Sequence, residues 1–509
     1  MKKPISFESI GFEVVSSMDE STAAVPEPDE PFRICVLGDF SGRSSRGVHD
    51  SLLTRNPIPV DRDNFDEVLL KLKPRISFEV MGQPVDASFE SLDDFHPDAL
   101  WKSVGLFRAL KDTRKKIDDP RTFNTALKEL RILAGEEPEA TAPQPEAVSK
   151  TSPQGGCLLD EIVGNADPAG ARKTGASGKM DLAGFVDAVV KPYSVGAHDP
   201  AQDRLKEALD EYISLLMAEV LHHRTFQDTE AAWRGLHFLV SRAETDEYLR
   251  IYLLDVSLDE LAGDLLGAED IASSGAFRLL CGNPDMSVGG KRWAVLAGLY
   301  TFDHEDAAVL GRMAGVAALA GAPFIAGAHP HLIGCRSLEG TPDPSAWKYT
   351  PGEETAQVWD DLRHLPEAAF IGLAVPKFLL RLPYGRDTDE TESFSFEEMP
   401  DGPVHGHYLR GSPAIACALL LAEAFSRRGW DMAPGEVTDI DGLPLYSVEQ
   451  DGEPVLVPCT EALLSDKAVE AILDRGIMPL ACLKDTDTAR LIRFQSLADP
   501  AARLRGRWV

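Results

Sequence analysis

Residues 33–47 read RICVLGDFSGRSSRG. Ile34 to Leu37 form an apolar run without polar alternation, stopped by Gly38 and an acid. Such a run is expected of a buried strand. The turn after it, GDFSG, raises the question of a phosphate loop. It matches neither G-x-G-x-x-G nor G-x-x-x-x-G-K-[ST]. SVGGKR at 287–292 has a Gly-Lys pair, but Asp285 stands where the first Gly is needed and no Ser or Thr follows the Lys. Neither site is expected to hold a nucleotide, so the first stretch reads as a strand and a turn.

Outward from that strand, residues 31–134 read as a small α/β unit. NFDEVLLKLKP is a helix stopped by Pro74, and RISFEV and VDASFES are strands joined around Gly82. DALWKSVGLFRALKDTRKKI carries Leu100, Val104, Phe107 and Leu110 on one helical stripe. Before it, residues 1–30 are an arm. Ile5, Phe7, Ile10 and Phe12 keep a rough period of two with a slip at Gly11, which predicts a strand with a bulge. A lone strand must join a sheet, in its own chain or in a neighbour's.

Residues 135–200 are rich in Pro, Glu, Ala and Gly and read as an extended, disordered linker around one apolar island, CLLDEIVGNA. Residues 201–497 alternate helix and strand in the manner of βαβ units. Strands are expected at YLRIYLLDV, RWAVLAGLYTF, PFIAGA, FIGLAV, IMPLACL and RLIRFQSL, and a hairpin at LPLYSVEQDGEPVLVP. TEALLSDKAVEAILDRG is expected to be one capped helix. Residues 498–509 form an Arg-rich arm. The expected class is α/β, with two mixed α/β domains joined by the linker.

The formal net charge is −31. That excludes a nucleic-acid binder, which needs a cationic footprint, and disfavours an anionic membrane surface. No apolar run approaches the roughly 18 residues that span a bilayer, and Glu8 and Glu13 interrupt any signal-like N-terminus. Seven scattered cysteines, none in C-x-x-C spacing, read as buried apolar residues of a reducing cytoplasm. His222-His223, His329-Pro-His331 and His405-Gly-His407 lack an acidic or Cys partner at metal-site spacing. An enzyme built on one of these pairs stays an alternative of a different class. DTDETESFSFEEMPDG at 387–402 has seven acids and no base, and residues 490–509 have five arginines against one Asp. Either these are a solvated loop and a tail, or an acidic surface on one copy meets a basic arm on another.

Several stretches together resemble one family. PFRICVLGDFSGR, IPVDRDNFDEVLLKLKPRISF and FESLDDFHPDALWKSV resemble the small subunit of the type VI secretion contractile sheath. LHHRTFQDTEAAWRGLHFLVSRAE, GAPFIAGAHPHLIG, FIGLAVPKFLLRLPYG and LKDTDTARLIRFQSL resemble its large subunit, in family order. The resemblance covers about four-fifths of the chain and implies the two subunits fused. It implies a non-enzymatic structural protomer without cofactor or metal, which self-assembles around an inner tube to drive effector injection. The implied partners are other sheath protomers, the inner tube, a baseplate and a AAA+ unfoldase, with no nucleic acid and no membrane insertion. Leu158, Leu159, Ile162 and Val163 resemble the helix that the unfoldase reads. Ile5, Phe7, Ile10 and Phe12 are the expected strand-addition interface. Arg503, Arg505 and Arg507 are expected in ion pairs between copies. The family's large subunit continues beyond the QSL strand, whereas this chain ends at Val509. A sheath-derived cap, adaptor or regulator that does not polymerise is therefore the alternative.

Overall fold

The computed structural model describes residues 26–118, 121–123, 125–126, 200–282, 292–339, 341–450 and 453–508. The expected arm strand at 5–15, the linker with its island and the SVGG turn lie outside them. The first segment, the described residues up to 126 (the second being those from 200 onward), supplies β1 (Phe32–Gly38), β2 (Ile58–Val60), β3 (Arg75–Val80) and β4 (Gln83–Ser88). The second supplies β5 (Leu249–Asp255), β6 (Val295–Phe302), β7 (Phe324–Ala328), β8 (Ile371–Val375), β9 (Phe378–Leu379) and β10 (Arg410–Gly411). It continues with β11 (Asp439–Ile440), β12 (Tyr446–Gln450), β13 (Glu453–Val457), β14 (Ile477–Cys482) and β15 (Ala489–Leu491).

The mixed α/β class is the one expected. Nine strands share one sheet in the order β11-β15-β14-β8-β7-β6-β1-β5-β2. From β14 to β5 all neighbours are parallel, while β2 and β15 run antiparallel near the edges. β1 therefore lies between two strands that are more than two hundred residues away in sequence. Ile34 faces Ile251 on one side and Val295 on the other. Every residue of β7 and β8 is buried, as continuous apolar strands of a covered parallel sheet must be.

One sheet face carries Cys35, Leu37, Tyr252, Leu254 and Leu296, packed with the helices Leu258–Gly267, Ala307–Ala320 and Glu353–Arg363. The helix Pro413–Arg428 packs on the same strands outside that cluster, so it covers the opposite face. There Phe32 meets Phe425 and Trp430 at ring distances of 4.7 and 5.3 Å. In SPAIACALLLAEAFSRRGW the Ser and the Gly read as a cap and a stop, and the helix does begin at the Ser412 cap and end before Gly429.

By contact density the chain divides into two compact units. One holds residues 1–80, 84–108 and 214–509, and thus the whole nine-stranded sheet; the other holds 81–83 and 109–213. In the second unit Leu110, Ile117, Leu205 and Leu209 are buried, and Arg114 is bidentate to Asp210.

Three local expectations differ from the structure. The stripe from Asp98 to Ile117 is two helices, Pro97–Ser103 and Gly105–Asp118. Val104, β-branched and followed by Gly105, adopts extended angles between them. The helix at TEALLSDKAVEAILDRG begins only at Asp466, where the Ser465 side chain caps it. In RLIRFQSL only the first residues pair as a strand, and Leu497 instead donates its N–H to Ile371 O at 2.8 Å.

Candidate functional site

Chain order reverses at β1: β5 lies on one side and β6 on the other. In open α/β sheets the carboxyl end of a strand at such a switch point is the usual ligand crevice. Here the chain's own side chains fill it. The Asp39 carboxylate accepts from Arg43 N at 2.6 Å and Ser44 N at 2.8 Å. The Asp255 carboxylate, at the end of β5, accepts from Phe40 N at 2.9 Å, Ser41 N at 3.0 Å and Ser41 Oγ at 2.7 Å. The backbone N–H groups that would hold a phosphate are thus consumed by two carboxylates. Gly42, at φ +73°, passes so close to Arg75 that a Cβ would stand 2.4 Å from Arg75 O. The turn after β1 is a latch onto the second segment.

Two arginines of that latch converge on one acid. Arg43 Nε lies 2.9 Å from Glu260 Oε1 and its Nη2 lies 2.7 Å from Asp50 Oδ2. Arg55 is bidentate to Glu260 and also donates to Asp255 O at 2.7 Å. Glu260 also closes a capping box with Ser257 at the start of its helix. Burial alone would raise its pKa, but hydrogen bonds from Arg55, the Ser257 backbone and Arg43 bring it down to about 2. Asp255 is pushed upward, chiefly by burial.

A second network locks the long loop after β9. Arg381 Nε lies 2.9 Å from Glu230 Oε1, and its Nη1 lies 2.8 Å from Glu398 Oε2. Arg234 joins Glu230 at 2.7 Å and the Tyr384 hydroxyl at 3.0 Å. Glu230 and Glu398 are 0% and 1% exposed. For Glu398 burial is the largest single influence and acts upward, but the charge of Arg381 together with hydrogen bonds from His222, Arg381 and the Tyr384 backbone holds the carboxyl at about 2. Glu398 belongs to the acidic run 387–402, so that run is not simply a solvated loop. Its Glu392 and Ser393 N–H groups both donate, at 2.8 Å, to the Asp98 carboxylate of the first segment.

These shifts set a pH dependence. Glu260 and Glu398 have folded pKa values near 2 against the unfolded 4.5. Their stabilisation is complete above about pH 4.5 and is lost as pH falls towards 2, roughly 3 kcal/mol for each carboxylate. Asp255, shifted the other way, offsets part of the loss. Urea midpoints measured between pH 5 and pH 3 should fall steeply, and less so in Glu260→Gln; a flat profile would refute the assignment.

The structure places the other singled-out residues as follows. Ile5, Phe7, Ile10, Phe12, Leu158, Leu159, Ile162 and Val163 lie outside the described residues. Arg503 and Arg505 are exposed. Arg507, expected beside them at a contact between copies, is turned into its own chain. It is 6% exposed, pairs with Glu30 at 2.7 Å and lies over the Trp430 ring at 5.0 Å. The segment carrying it lies along the fold, with Arg505 N donating to Ala369 O at 2.8 Å. Cys35 is fully buried in β1, and burial pushes its thiol far up, away from reactivity. His222 and His407, from different pairs, stack at 3.6 Å. His329 and His331 meet an acid absent from their sequence neighbourhood, Asp303. Only the pairing of β6 with β7 brings it there, so spacing could not reveal it.

Two protein families match this chain. Residues 203–498 match the VipB family, the tail sheath N-terminal domain. Residues 19–131 match the VipA family of the type VI secretion system. The type VI secretion system sheath protein TssC1 of Pseudomonas aeruginosa is 36% identical over 303 residues, covering 58% of this chain and 61% of that protein. The sheath protein TssB1 of the same organism is 30% identical over 131 residues, covering 23% of this chain and 76% of that protein.

Proposed function

Because this chain belongs to the type VI secretion sheath family, with its VipA-type and VipB-type segments in one polypeptide, we propose that it is a structural protomer that assembles with copies of itself into a sheath. The observation that carries this reading is the position of β1. The first segment supplies a central strand of the second segment's sheet, so the two halves form one building block and covalent fusion fixes their ratio. No helix among the described residues is long and apolar enough to cross a membrane, and the acidic charge suits a cytoplasmic assembly.

In this reading the sheath surrounds an inner tube, stands on a baseplate and drives effector injection without chemistry of its own. Contraction draws on two alternative packings of protomer contacts, and a bistable interface needs no nucleotide. Ile5, Phe7, Ile10 and Phe12 add a strand to a neighbouring copy. Arg503 and Arg505 are the exposed cations left for inter-copy pairs, each worth about 0–1 kcal/mol at a surface. Leu158, Leu159, Ile162 and Val163 form the helix edge that a AAA+ unfoldase reads.

Negative-stain electron microscopy of the purified chain, with and without residues 1–20, tests the proposal. Tubes or stacked rings are expected from the full chain, with assembly lost on truncation. Discrete particles in both samples would refute polymerisation and leave the non-polymerising accessory in its place.

A further inference from the structure

We propose that Asp303, His329 and His331 form a binding site for a divalent transition-metal ion of the zinc type. β6 and β7 are adjacent and parallel, and each releases a ligand residue directly past its last strand position. Asp303 follows Phe302, and His329 follows Ala328 and donates its N–H to Phe302 O at 2.8 Å. The three side chains therefore meet at the carboxyl edge of the sheet, where α/β folds place ligands.

The donor set and its spacing suit such an ion. Asp303 Oδ2 lies 2.6 Å from His331 Nδ1 and 3.4 Å from His329 Nδ1. The donor atoms of all three residues fall within 4.8 Å of one another. Zinc takes imidazole and carboxylate ligands at about 2.0–2.2 Å, which sets tetrahedral donors about 3.4 Å apart. The His329 spacing already meets that figure. The shorter His331 contact needs to open by roughly 0.8 Å, as the ion replaces the proton shared across it.

The surroundings hold the ligands in place. Asp303 Oδ1 is taken by His304, whose N–H lies at 2.7 Å and whose Nδ1 lies at 3.1 Å, so Oδ2 is left for the two imidazoles. The His331 ring lies flat on Tyr349, with centroids 3.8 Å apart and planes inclined by 7°. A fixed carboxylate and a stacked imidazole are the outer contacts that orient metal ligands. His329 Nδ1 accepts only a long 3.3 Å bond from His331 N, so little is lost when it turns to an ion. All three residues are part-exposed, with side-chain exposures of 26–38%, so the ion can enter and water can complete its coordination. The ion would clip two neighbouring strands at their ends.

The test uses the full-length, tag-free chain, stripped with a chelator and titrated calorimetrically with zinc chloride. One saturable site per chain is expected. His329→Gln and His331→Gln should each weaken it by at least about 100-fold, beyond the loss typical of an outer contact. His364→Gln, which dismantles the more exposed Asp360–His364–Asp499 group, should leave it unchanged. Cobalt(II) should give the visible absorption of a four- or five-coordinate site in the unaltered chain, a readout independent of any variant's folding. Zinc should also raise the melting temperature of the unaltered chain but not that of His331→Gln. No saturable binding, binding that survives both substitutions, or loss in His364→Gln alone would overturn the proposal.

Discussion

Arg381→Ala is expected to destabilise the chain by about 3–5 kcal/mol, the usual cost of stranding buried carboxylates without their partner. Arg381 is the shared cation of Glu230 and Glu398, both essentially without solvent contact. Removing it leaves two carboxylates facing each other across a cavity. Arg234 still reaches Glu230 at 2.7 Å, so Glu398 bears most of the loss. Denaturant unfolding at neutral pH measures the effect directly. The variant's acid sensitivity should also change, because Glu398 would protonate at a much higher pH. Replacing Arg381, Glu230 and Glu398 together by apolar residues of similar size should recover much of the stability, since a buried ion network is often no better than well-packed hydrophobes. A loss below about 1 kcal/mol in Arg381→Ala would mean that water reaches the network and that it is a surface feature.

The second large effect concerns the fusion. Expressed alone, residues 200–509 should be insoluble or lack a cooperative unfolding transition. Co-expression with residues 1–134 should restore a soluble complex. Without β1, the facing edges of β5 and β6 lose their pairing partner. Phe32, Ile34, Cys35, Val36 and Leu37, all fully buried, leave a trough through the middle of the sheet. The latch at Asp255 and Glu260 also loses its arginines. Exposed strand edges of this length invite aggregation. A soluble, cooperatively folding 200–509 fragment would show that the second segment closes its sheet without the first.

The order of strands and helices was legible in the sequence because burial on both faces demands unbroken apolar runs. ICVL, FIAGA and IGLAV follow that rule, and each is a central strand. Capping was legible where a Ser or a Gly punctuates a helix, as at Ser412 and Gly429. Breaks inside an amphipathic stripe were not. Val104 keeps the helical spacing of its apolar neighbours while its backbone is extended, because burying a side chain does not require a helical turn at that residue. Nor was the direction of a charged side chain. Arg503, Arg505 and Arg507 look alike in the sequence, yet only Arg507 has Glu30 and Trp430 within reach.

The α/β class, the lack of phosphate-loop fingerprints and the resemblance to two sheath subunits in one chain were readable before any folding is considered. These follow from local composition, periodicity and motif order, which neighbouring residues carry among themselves. It took the folded chain to place β1 inside the second segment's sheet, to fill the crevice beside it with Asp255 and Glu260, and to bring Asp303 to His329 and His331. Each of these depends on strand pairing between residues far apart along the chain. Pairing is chosen by which buried edges remain to be satisfied once the chain has collapsed, and no local stretch records that choice.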